Sequence, residues 1–134
     1  MKLTSRHILA VALVQLAAGC RDPGPTRQEL SGLLGKPMNA VLRELAVSTN
    51  KLVAFDEPPG LWRGCMGALQ SNPAIGIDLY VARTDAIQAA GRRVFPSDFS
   101  EKHVSGIVLH YPASMRRPDL QVGEAIPWYA PRAN

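Results

Sequence analysis

Apolar positions recur along the chain in two different periods. Leu30, Leu33 and Leu34 fall at helical intervals after Thr26 and Glu29, which have the spacing of a capping box, and Gly35 stops the turn. Pro37 then opens a second helix, in which Met38, Val41, Leu42 and Leu45 form one stripe while Asn39, Arg43 and Glu44 point elsewhere. Beyond it the period becomes two. A strand over residues 51–55 ends at the turn cluster Asp56, Glu57, Pro58, Pro59 and Gly60. Residues 61–69 form a glycine-interrupted strand, joined as a hairpin through 70–73 to a cleanly alternating strand over 74–82. That alternation places Ile75, Ile77, Leu79 and Val81 on one face and Asp78 and Tyr80 on the other. Gly64, Gly67 and Gly76 mark bulges or close backbone approach, with ligand contact as the alternative reason.

Thr84 or Asp85 can cap a short helix running through Ala90 to Gly91, and residues 104–111, with Ile107, Val108 and Leu109, make a fourth strand. After Tyr111 come Pro112, Pro118, Pro127 and Pro131 with little periodicity, which predicts an extended arm. The order of elements points to an α+β fold with two short N-terminal helices packed on a small antiparallel sheet of three to four strands.

Residues 8–16 follow neither period. They are apolar except for Gln15, are preceded by Lys2 and Arg6, and are followed by Ala17, Ala18, Gly19 and Cys20, the three-part layout of an export signal. A core helix would carry a polar face, and the run is far below the roughly 20 residues that span a bilayer. Export changes the composition. The 134 residues carry a formal charge of +4, but without 1–19 the remaining 115 hold 13 basic and 11 acidic residues, or +2. Such a balance, with no strong excess of basic residues, argues against a nucleic-acid partner. Residues 20–28, with Pro23, Gly24 and Pro25, then read as a tether, 29–111 as one domain and 112–134 as a Pro-rich tail. In an oxidising compartment Cys20 could bridge Cys65; otherwise Cys65 is a small core residue of the apolar stretch 61–69.

The run Leu16, Ala17, Ala18, Gly19, Cys20 resembles the lipobox of bacterial lipoprotein precursors. It departs in having Ala17 three places before the cysteine, where that family prefers a large aliphatic residue, and Ala17 with Gly19 also suits the general signal peptidase. The resemblance implies cleavage before Cys20, acylation of its thiol by palmitate-like chains, and membrane attachment through that lipid. Arg21 is not the acidic retention residue of some such proteins, which implies an outer-membrane location facing the periplasm. Without the lipid, the chain would be periplasmic or secreted. Residues 26–37, TRQELSGLLGKP, are similar to the helix-then-Gly-x-Pro segment of small outer-membrane-assembly lipoproteins, whose domain packs two helices on three antiparallel strands. This chain departs by opening another helix at Pro37 and adding a fourth strand.

Few residues invite chemistry. His103 and His110 are seven positions apart on one strand, which places them on opposite faces unless a bulge intervenes. Asp98, Glu101 and His103 are the one tight group of potential ligands, without a recognised metal spacing. Asp56 and Glu57 sit in a turn, and no nucleophile elbow, phosphate loop or Cys-x-x-Cys motif is present. No catalytic residue, metal or cofactor is assigned. Arg92, Arg93, Arg116 and Arg117 are the basic clusters that could meet an anionic partner, and Trp128 and Tyr129 in the tail could serve as docking anchors, as Trp62 could beside the Pro-Pro-Gly turn. The expectation is an exported, lipid-anchored envelope protein that binds or supports a partner and is not an enzyme. The alternative is a small secreted enzyme or inhibitor with a site built from the hairpin loops. The two differ in whether a concave pocket gathers a histidine with carboxylates or Cys65, or an apolar patch lies exposed without one.

Overall fold

Thr26 and Glu29 form the capping box that their spacing predicts. Thr26 Oγ1 accepts from the Glu29 amide at 3.2 Å, and Glu29 Oε2 accepts from the Thr26 amide at 2.6 Å, opening helix α1, Arg27–Ser31. The computed structural model of the chain describes residues 24–56, 63–82 and 93–124. Helix α2, Met38–Glu44, buries Met38 and Val41 and packs Leu42 and Leu45 on the core, as its stripe predicts. It stops where the chain reverses through Ala46, a non-glycine residue at φ 49°.

Five strands follow: β1 Val53–Asp56, β2 Arg63–Ala68, β3 Gly76–Val81, β4 Val104–His110 and β5 Leu120–Gly123. They form one antiparallel sheet in the order β1-β2-β3-β4-β5. Its inner face is built of cross-strand rows. Ala54, Cys65, Leu79, Ile107 and Val122 make one row, and Gly67, Ile77, Leu109 and Leu120 the next. Leu30, Leu33, Met38, Val41 and Phe99 close over these rows. Each fully buried Leu, Ile or Phe side chain contributes about 1.5–3 kcal/mol.

The fold corrects the expected class. The α+β arrangement of two helices on three to four strands is replaced by a mainly β domain with a five-stranded sheet. Among the described residues the helices are only five and seven residues long, and the other helical structure consists of 3-10 turns of three or four residues. Glycine at 32 and 35 and the reversal at Ala46 keep both helices short. The fifth strand lies in the stretch read as a tail: Leu120 and Val122 turn inward against Leu109 and Ile107, so residues as far as Gly123 join the sheet. The helix expected from 84 or 85 to 90, and the chain from 125 onward, lie outside the described residues.

Two glycines have steric reasons. A Cβ on Gly64 would collide with the Leu79 carbonyl oxygen of the neighbouring strand, so of the reasons expected for this glycine close backbone approach applies there. Gly123 ends β5 at φ 83°, the left-handed region, with Ser105 O against the position of its missing Cβ.

Candidate functional site

The outer face of the sheet carries a row Val53, Met66, Asp78, Val108 and Gln121. Beside it runs Phe55, Gly64, Tyr80, Gly106 and Gly123, where the absence of side chains at Gly64 lets the Phe55 and Tyr80 rings meet edge to face at 5.2 Å. Asp78 and Tyr80 share this face, as the alternation of β3 predicts.

His110 ends β4 opposite Gly76, so Asp78, two residues along β3, is its diagonal neighbour. Asp119 lies one place beyond the Leu109–Leu120 pair, across from His110 on the β5 side. The ring takes both carboxylates: Nε2 lies 2.7 Å from Asp78 Oδ2, and Nδ1 lies 2.8 Å from Asp119 Oδ2. The hydrogen bond to Asp78 raises the imidazole pKa most; partial burial opposes it, and the charge of Asp78 and the bond and charge of Asp119 add to the rise, to about 9. At neutral pH the ring is therefore an imidazolium donating from both nitrogens. In that state it has no lone pair to take a proton or bind a metal, and it acts as an electrostatic clamp across β3, β4 and the start of β5. Tyr80 nearby is pushed up to about 12 by burial and by Asp78, which keeps it a neutral phenol.

The remaining candidates are dispersed. A register shift between Tyr80 and Val81 resets the alternation of β4, so Val104 is buried with Ile107 and Leu109. The opposite-face expectation for the histidines therefore does not apply. His103 bridges Pro37 beyond the start of β4, roughly 20 Å along the strand from His110. Asp98 caps a 3-10 turn, accepting from the Phe95 amide at 2.8 Å. Among the described residues no three His, Cys, Asp or Glu side chains are grouped to hold a metal ion. Asp56 Oδ1 lies 3.3 Å from Arg63 Nε, an ion pair whose angle does not make a hydrogen bond. Cys65 is a free thiol buried in the inner face, and burial pushes it up to about 12.

Of the basic clusters, Arg93 lies 5.9 Å from the Phe95 ring centre and Arg117 lies 4.5 Å from that of Tyr111. Exposed Arg116, at φ 47°, follows a 3-10 turn. Cys20, Trp62, Arg92, Trp128 and Tyr129 lie outside the described residues. Asp119 was missed by sequence reasoning, because its place opposite His110 exists only once β5 is recognised.

A groove of about 580 Å³ opens between α1, the end of α2 and the β2–β3 turn. Leu33, Leu45 and Leu69 line it together with Gln28, Glu29 and the 2.9 Å ion pair of Lys36 with Glu44. Neither histidine of the domain nor Cys65 contributes to its lining. Val53 and Met66, 50% and 42% exposed, are instead cross-strand neighbours on the outer face. No protein-family model, curated protein or solved structure matches the chain.

Proposed function

We propose that the chain is an exported bacterial envelope protein, anchored by a lipid on Cys20, whose mainly β domain acts by binding or supporting a partner. The observation that carries this reading is the sequence of the first 20 residues, a basic start, the apolar run 8–16 and the lipobox-like run 16–20. Cys65 lies buried in the inner face of the sheet, in keeping with its reading as a small core residue. Thr26 opens the first of the described helices six residues after Cys20, which fits a short tether between a lipid on Cys20 and the domain. Arg21 stands where some such proteins carry an acidic retention residue, which supports an outer-membrane location facing the periplasm.

Binding is favoured over catalysis by the separation of groove and histidines, and by the apolar Val53–Met66 pair left exposed on the sheet. The test is fractionation of host cells: Cys20→Ala moves the protein from the membrane to the soluble fraction. Retention of the variant in the membrane contradicts the anchor.

A further inference from the structure

The two edges of the sheet are treated differently. At β5, helix α1 packs alongside the strand, and Arg27 Nη1 donates to the Gln121 carbonyl at 2.8 Å, so a side chain occupies an acceptor of that strand. At β1, among the described residues, no backbone segment other than β2 pairs with the strand. Residues 52–56 are extended and read Leu-Val-Ala-Phe-Asp, with no proline and no lysine inside the strand to discourage pairing. Val53 on this edge is half exposed, and Met66 beside it on β2 is nearly so.

We propose that β1 is the seam of a homodimer, in which β1 of a second copy pairs antiparallel about a two-fold axis at Ala54 and makes one continuous ten-stranded sheet. A two-fold axis perpendicular to a sheet pairs residues of the same face, so the centre must fall on a residue. With Ala54 at the centre, the whole extended segment pairs with itself: Val53 lies against Phe55 of the other copy on the outer face, and this happens twice. The exposed Val53 and half-buried Phe55 then cover each other as a β-branched and aromatic cross-strand pair. Charge selects the direction. The segment is basic at its start, with exposed Lys51, and ends at Asp56, so antiparallel pairing brings each lysine to the acidic end of the other strand. Parallel pairing would set lysine against lysine. A second copy satisfies all of these features with its own β1 residues.

The inference does not depend on the lipid, and it is tested on the full-length chain carrying Cys20→Ser. Sedimentation equilibrium is expected to show a monomer–dimer equilibrium. Val53→Lys, at an exposed position, is expected to raise the dimer dissociation constant by about tenfold or more while leaving the circular dichroism and melting temperature of the monomer in place. Register is read separately by mild oxidation: a mixture of Val53→Cys and Phe55→Cys chains forms a disulfide-linked dimer more readily than either chain alone. A wild-type chain that stays monomeric overturns the proposal, as does a dimer that Val53→Lys leaves intact. Equal cross-linking of the separate and mixed chains overturns the register.

Discussion

His110 and Asp119 meet at 2.8 Å because β4 and β5 pair antiparallel in a register whose last rung, Leu109 with Leu120, lies one residue earlier. The same ring reaches Asp78 on the other side, so one imidazolium ties the strand in the middle to both of its neighbours. The contact gives the short terminal strand a polar fixing point beside the burial of Val122.

The clamp makes stability depend on pH in a defined direction. The folded-state pKa of His110 is raised from 6.5 to about 9, so its contribution is complete below 6.5 and is lost as pH rises through about 9. The side chain is 37% exposed, and solvent screening limits the effect to about 1 kcal/mol. Denaturant titrations should show the wild type more stable than His110→Asn at pH 6, with the gap closing by pH 10. A gap that is constant with pH contradicts the clamp.

Gly64 and Gly35 should respond differently to alanine. At Gly64 the new methyl would strike the Leu79 carbonyl oxygen, so the strands must move apart, at a cost of about 3 kcal/mol or more. At Gly35, where φ is 85° but nothing lies within 4 Å of the new Cβ, only the backbone preference is lost, about 1 kcal/mol. Thermal unfolding of the two variants checks the order, and equal losses would show that β2 and β3 do not approach as described.

The Cys65 thiol is shielded both by burial and by a pKa of about 12. In a Cys20→Ala chain, a thiol reagent at pH 8 should leave Cys65 unmodified while the domain is folded and label it once denaturant unfolds the domain. Rapid labelling of the native chain would place Cys65 outside the core.

Much of the sheet was legible from its alternation. Ile75, Ile77, Leu79 and Val81 turned inward, and Asp78 and Tyr80 outward, because a half-buried strand leaves a period of two in its residues. The capping box at Thr26 was equally local. The fold class was not legible, because β5 is four residues long, follows Pro118 and buries only Val122 fully, too little to register as a period. Missing β5 also hid Asp119, and with it the clamp on His110. The shift between Tyr80 and Val81 was invisible for another reason: a bulge is set by backbone pairing with a distant strand, and nothing in residues 103–110 alone announces it.

The proposed lipid anchor is tested most directly by mass spectrometry of the mature N-terminus on protein purified from its native host. The expected result is an N-terminal peptide that begins at Cys20 and carries the added mass of acyl chains. An unmodified Cys20 contradicts the anchor, and a retained Met1 contradicts export itself.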